Sequence, residues 1–312
     1  MLQEFVFSLK KQGHYNDWAS FFEDNFRFNT LISLKSQLKV CLTAHTIIFL
    51  DGDKWHLLYF PIMLLRNISG RKSIIFSIRT EYLLRSSIKS LIKRLLYTSL
   101  ISCRNIKIVS IHKLSKSKRI SRYITDYIYD LQYWDLPYLN FKKAAPPEIN
   151  NIQFKKPVLL IIGKLSDKRN KTEILSVLEN NNDLNYQIII SSEMSLHDLK
   201  IFESNNNCIV VNRYVTNDEL YYLYHISDII FCYYNSVDRP SGIFGRAMQL
   251  GKYAVVKSDS YHSNYNRNYS GLIVIEEFSQ LNSIVATMNF KKVSPMIYND
   301  YTTLTDILYK WN

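Results

Sequence analysis

The residues best suited to chemistry lie in the run SDIIFCYYNSVDRPSGIFGRAMQLGKYAVV, residues 227–256. An apolar strand pattern delivers the chain to a polar loop, and a helical pattern opens at Ser241-Gly242. Glycine lets a backbone approach a ligand, and the first-turn N–H groups of a helix, here from Gly242 and Ile243 onward, have no partner inside it. Such a helix start favours a phosphate or diphosphate, with Ser241 available as N-cap or as a phosphate donor. The plainer reading is an ordinary crossover in which glycine only serves the turn, and spacing does not separate the two. A second segment, GKLSDKRNK (163–171), follows the apolar run PVLLII. Beginning at Gly163, it would bring Lys164, Lys168, Arg169 and Lys171 to the same sheet edge, which suits a diphosphate leaving group. Alone it reads as a solvated basic loop; two anion-friendly loops on one edge favour a binding site. In the first half, Gly13-His14 follows the first strand run, and Asp51 and Asp53 flank Gly52 at the end of another. Asp51 and Asp53 can bind a hydroxyl or form a simple Asp-Gly turn, and Gly13-His14 reads on position alone as a surface loop.

Positioning these residues requires alternating strands and helices. Apolar runs at 4–9, 46–50, 73–78 and 105–111 are separated by helical patterns at 15–25, 57–65 and 85–101, as βαβ units require. Residues 135–156 hold Pro137, Pro146 and Pro147 and lack either period. The rhythm restarts with strands predicted at 157–162, 186–190, 208–211, 228–233 and 253–256. Helices are expected at 172–179, 217–225 and 242–250, the second capped by Thr216 or Asn217 with Glu219 in its first turn. The predicted architecture is α/β, two doubly wound halves. The expected division is a first domain at 1–140, a linker at 141–156 and a second domain at 157–295. A C-terminal helix within 296–312 crosses back to the first domain.

The second half resembles glycosyltransferase family four. PVLLIIGKLSDKRNKTEIL is similar to the opening of that family's C-terminal domain, with Lys164 at its first cation and Arg169 at its second. RYVTNDELYYLYHISDIIFCYY (213–234) and SGIFGRAMQLGKYAVV (241–256) resemble two later stretches. The likeness covers about a third of the chain, residues 156–260. It implies the GT-B fold, two Rossmann-like domains facing across a cleft, and a nucleotide-sugar donor. Its diphosphate would rest on Gly163, Lys164, Arg169 and the Ser241-Gly242-Ile243 turn. The family has two glutamates eight positions apart; here Asp238 stands at the first and Arg246 at the second, so only Asp238 can contact the transferred sugar as an acid. The resemblance implies a retaining hexosyl transfer, in which positioning and leaving-group stabilisation dominate. The Ser-Gly turn also resembles nucleotide-sugar 2-epimerases of the same architecture, and Arg246 admits a non-catalytic relative. No cofactor or metal is expected beyond the nucleotide sugar as substrate.

Composition bounds the remainder. The chain has 312 residues, enough for two cores of about 150 residues each. Four cysteines at 41, 103, 208 and 232 form no metal-type pair, and a disulfide framework is not expected at this size. The first residues run from apolar to basic, the reverse of a signal peptide, and no apolar stretch is long enough to span a bilayer. The expected location is cytoplasmic. Residues 1–150 hold 23 Lys and Arg against 11 Asp and Glu, while the rest are balanced at 16 and 16. Within 85–101 a stripe of Ile88, Leu91, Ile92, Leu95, Leu96 and Ser99-Leu100 has Arg85, Lys89, Lys93 and Arg94 beside or opposite it. Such a helix either lies on an anionic membrane surface or packs on the sheet with its bases in water. The function expected is transfer of a sugar to a lipid-linked glycan acceptor in bacterial surface polysaccharide synthesis, peripheral on the inner face of the membrane. Nucleic-acid binding lacks any supporting signature.

Overall fold

The structure, a computed structural model, describes residues 4–7, 14–31, 38–50, 56–77, 83, 85–111, 118–235 and 241–311. Two compact units divide the chain. The first comprises Met1–Leu131 and Asn299–Asn312, the second Gln132–Tyr298.

In the first unit the uninterrupted apolar runs become strands buried on both faces, as parallel sheets require. Its strands are β1 (Glu4–Phe7), β2 (Asn29–Leu31), β3 (Thr46–Phe49), β4 (Lys72–Phe76), β5 (Ile106–Ile111) and β6 (Asp126–Ile128). All pair in parallel, in the order β2-β1-β3-β4-β5-β6. Helices α1 (His14–Phe26), α2 (Leu38–Thr43), α3 (His56–Ile68), α4 (Ile88–Ile101) and α5 (Lys118–Ser121) connect them. Ile47, Phe49, Ile75, Ile108, Tyr59 and Met63 form much of one core cluster. The short β2 and β6 carry three residues each, too few to show a period in the sequence.

A helix from the far end of the chain, α11 (Tyr301–Tyr309), also belongs to this unit. Tyr129 N donates to Asp300 Oδ2 at 2.5 Å, and Tyr301 stacks on Phe26 with ring centroids 5.1 Å apart. The Lys107 ammonium donates to the carbonyls of Ile307 (2.9 Å) and Lys310 (2.6 Å). It thereby satisfies the free acceptors at the helix C-terminus, where a cation is favoured.

The second unit contains β7 (Val158–Ile162), α6 (Lys171–Asn180), β8 (Gln187–Ser191), α7 (Leu196–Ser204), β9 (Cys208–Val211) and α8 (Asn217–Ile226). It continues with β10 (Ile229–Phe231), α9 (Gly242–Gln249), β11 (Tyr253–Lys257), β12 (Leu272–Ile275) and α10 (Gln280–Thr287). The parallel order is β12-β11-β10-β7-β8-β9. At the start of α8, Thr216 Oγ1 accepts from Glu219 N at 3.2 Å and Glu219 accepts from Thr216 N at 2.8 Å, a reciprocal capping box. Arg213 bridges Glu219 and Glu148 at 2.7 and 2.8 Å, and its hydrogen bonds hold the Glu219 carboxyl down to about 2. Among the described residues no helix is long and apolar enough to cross a membrane.

A buried arginine organises the amino edge of the first sheet. Arg66 closes α3 and is fully buried. Its guanidinium donates to the carbonyls of Cys41 (2.6 Å), Ala44 (3.0 Å), His45 (3.3 Å) and Lys72, and its Nε to Ser73 Oγ (2.9 Å). All five donors find acceptors, so the charge is met by backbone dipoles rather than by a carboxylate. Burial lowers its pKa to about 10, which still leaves it protonated at neutral pH. Arg66→Met should lower the free energy of unfolding by about 3 kcal/mol or more, because buried carbonyls lose their donors. Urea denaturation of the purified chain measures it.

Candidate functional site

Ligands of open parallel sheets bind outside the carboxyl ends of the strands, where the strand order reverses. In the second unit that point lies between β7 and β10. Gly163 follows β7 with φ +80°, a conformation that favours glycine, and its N–H donates to Ser191 O at 2.9 Å. A Cβ at this position would meet only Arg169 Nη1 at 3.6 Å and Ile243 Cδ1 at 3.9 Å, so φ alone sets the requirement. The same distances show that Gly163, Arg169 and the first turn of α9 converge. The two loops singled out in the sequence therefore meet at one place.

Arg169 plays a different part from the one the family pattern implies. It is 5% exposed, and its Nη atoms donate to the carbonyls of Ile162, Gly163 (3.1 Å) and Phe231 (3.2 Å). It thus ties the carboxyl ends of β7 and β10 together, with its guanidinium 5.3 Å from the ring centres of both Phe231 and Tyr234. Lys171 is ion-paired with Asp198 at 2.6 Å. Lys164 is exposed on the loop after β7, and the Lys168 side chain lies outside the described residues.

Ser241 is the N-cap residue of α9 in extended conformation, yet its hydroxyl makes no capping bond. It pairs instead with Tyr234 Oη at 3.0 Å. Asn235 donates to Asp167 O and accepts from the Lys257 ammonium, both at 3.0 Å, linking the loops after β7 and β10 to the last residue of β11. Tyr234, Asn235 and Lys257 were not singled out in the sequence. Their signal was position: each stands at or just beyond the carboxyl end of an apolar strand run. Among the described residues no group of three His, Cys, Asp or Glu is arranged to hold a metal ion.

The glycines of α9 have a reason other than a ligand. A Cβ on Gly242 would lie 1.4 Å from Gln132 Oε1, and one on Gly245 would lie 2.3 Å from the Gln132 backbone oxygen. Helix α9 therefore packs its small face directly on the 132–135 segment. Arg246, where the family pattern has its second glutamate, is buried and donates to Asp135 Oδ2 at 2.7 Å. Gln249 Nε2 donates to Gln132 O (2.8 Å) and Asp135 Oδ1 (3.1 Å), while its oxygen accepts from Leu136 N (3.0 Å). The compact unit accordingly begins at Gln132. Arg246→Glu should restore no sugar contact. It would bury two carboxylates together and lower stability by roughly 3–5 kcal/mol, read as a fall in the urea midpoint.

His262 is packed against Phe244, Tyr234 and Tyr261, with ring centroids 4.7, 5.6 and 5.5 Å away. It is 1% exposed, and neither ring nitrogen has a hydrogen-bond partner among the described residues. Burial pushes its pKa down to about 3. An unfolded histidine takes up its proton near 6.5, so this group contributes full stability above that pH and loses it as pH falls from 6.5 towards 3. His262→Leu should flatten that part of the stability profile, checked by urea melts between pH 7.5 and 5. A variant whose slope matches the unsubstituted chain would contradict this account.

The remaining sequence-derived candidates divide as follows. Gly13, Asp51, Asp53 and Asp238 lie outside the described residues. His14 is the first residue of α1 rather than part of a loop, and its side chain lies outside them too. Of the expected membrane-surface bases, Arg85 and Lys89 are exposed and Arg94 is half-buried. Lys93 is a correction: it is 3% exposed, with its ammonium 5.2 Å over the Tyr97 ring. It lies on the inward face of α4, where the aromatic ring accommodates its charge.

No protein-family model and no curated protein sequence matches the chain. Solved structures resemble it in fold. HepE of Anabaena in complex with UDP-glucose superposes with a TM-score of 0.57 at 12% identity, covering 91% of this chain and 81% of that one. The same protein with UDP and glucose gives 0.59 at 11% identity, covering 91% and 89%. OtsA in its apo form gives 0.50 at 10%, covering 89% and 72%. Together with the two six-stranded parallel sheets, these likenesses define the fold as GT-B, two Rossmann-like α/β units in one chain.

Proposed function

We propose that this chain is a glycosyltransferase, close in pattern to family four, that binds a nucleotide sugar in its second unit. It passes the sugar to a lipid-linked glycan acceptor in bacterial surface polysaccharide synthesis, working at the inner face of the cell membrane. The observation that carries this reading is the convergence of the Gly163 turn and the uncapped first turn of α9 at the β7/β10 switch point. A diphosphate there meets the N–H groups of Gly242 and Ile243, the Ser241 hydroxyl and the Lys164 ammonium. Arg169 acts through the sheet, holding the Gly163 turn in place. The HepE complexes with UDP-glucose and UDP support testing a uridine nucleotide first.

Leaving-group stabilisation is then the main chemical contribution. The charge that develops on the departing diphosphate meets donors already fixed by the fold, which need no reorganisation during reaction. A retaining transfer of a hexosyl group places no demand for a strong general base. Asp238 is assigned to the transferred sugar, and Gly13, His14, Asp51 and Asp53 to the acceptor side.

UDP at a hundredfold excess over its Kd should stabilise the chain by about 2.7 kcal/mol, read as a rise in Tm. Lys164→Ala should weaken UDP binding about tenfold or more, the share of one charge-assisted hydrogen bond. Release of UDP from a UDP-sugar should require a lipid-linked acceptor. Silence across a whole nucleotide-sugar panel would refute transfer, and equal turnover without acceptor would point instead to epimerisation or hydrolysis.

A further inference from the structure

Helix α4 turns its apolar side away from the sheet. The side chains it buries are Ser90, Lys93, Tyr97 and Leu100, and Tyr97 donates to Ser77 Oγ at 3.1 Å beneath it. Ile88, Leu91, Ile92 and Leu95 are 79, 51, 36 and 62% exposed. Their spacing of three and four residues makes them one ridge on the outer face. Helix α3 packs beside α4 and presents Leu65 and Ile68, which are also exposed. An apolar stripe ordinarily marks the face a helix buries; here a mixed face of Ser90, Lys93, Tyr97 and Leu100 is buried and the ridge of Ile88, Leu91, Ile92 and Leu95 is left out.

The charges around the ridge identify its occupant. Helical geometry sets Lys89 on one flank and Arg94 on the other, and Arg85 is exposed just before the helix. The sequence of α4 contains no acidic residue. A second copy of this chain docked on the ridge would bring like charges together. A bilayer surface with anionic headgroups accommodates both features: apolar side chains enter the acyl boundary, and long cationic side chains reach up to the headgroups.

We propose that the α4 ridge inserts into an anionic bilayer surface, with Ile88, Leu91, Ile92 and Leu95 below the headgroups and Lys89 and Arg94 among them. This goes beyond docking by charge alone and stands apart from the nucleotide assignment. The full chain is mixed with vesicles of phosphatidylcholine, with or without phosphatidylglycerol, and sedimented. It should bind the anionic vesicles and retain part of that binding in high salt, which screens charge but not apolar insertion. Leu91→Ser/Leu95→Ser should lower partitioning about tenfold or more at every salt concentration. Lys89→Gln/Arg94→Gln should remove the preference for anionic vesicles. The serine variant replaces exposed side chains and the glutamine variant an exposed and a half-buried one; an unchanged Tm and unchanged UDP stabilisation would show that they leave the fold and the nucleotide site intact. Complete release of the unsubstituted chain by salt would overturn insertion, as would full binding by the serine variant. Vesicle-free self-association that the serine variant abolishes would instead make the ridge a contact between copies.

Discussion

The second unit is organised around one guanidinium. At the point where the strand order reverses, two neighbouring parallel strands send their chains to opposite sides, and their terminal carbonyls face an opening. Arg169 fills it, donating to Ile162, Gly163 and Phe231 at once. The Gly163 turn, the Tyr234 ring and the start of α9 are all arranged about that side chain. A lysine would present one point charge and could not span the three carbonyls. A cation at this sheet edge thus serves the scaffold, while its neighbour Lys164 is exposed on the loop after β7. The first unit uses the same device at its opposite edge, where Arg66 draws together the amino-terminal approaches to β3 and β4. In both places backbone oxygens replace the carboxylate that a buried arginine would otherwise require.

Much of this fold was legible because buried parallel strands are written as uninterrupted apolar runs. TIIF and VLLII announce β3 and β7 directly, and every residue in them is buried. The capping box at Thr216 and Glu219 was also visible, since its residues are local. Non-local contacts were not. Nothing near Gly242 and Gly245 indicates that Gln132 lies against them, so glycines that suggested ligand approach turned out to admit a chain segment more than a hundred residues away. Arg246 stood out as a departure from a family pattern, but its partner Asp135 could be found only in space.

Helix α4 marks a different limit. The ridge of Ile88, Leu91, Ile92 and Leu95 follows its periodicity, whereas Leu100, expected on the same stripe, is buried. Periodicity reports that a helix has two faces without saying which one meets the protein. Here Tyr97 and Lys93 pack inward, with the ammonium 5.2 Å over the ring. His262 was illegible for a related reason: a sequence cannot show that both nitrogens of an imidazole will be enclosed by rings.

The place of α11 bears on the order in which the molecule is made. The second unit is one unbroken stretch of chain, whereas the first is assembled from residues on either side of it. During synthesis, domains generally form as their residues emerge, earlier ones first. In this chain the first sheet is paired wholly within residues 4–128, but the Tyr129 N–H and the Lys107 ammonium meet Asp300, Ile307 and Lys310 only after the second unit has been translated. The second unit can close as it emerges, whereas the docking of α11 on the first unit is a step that only the finished chain can take.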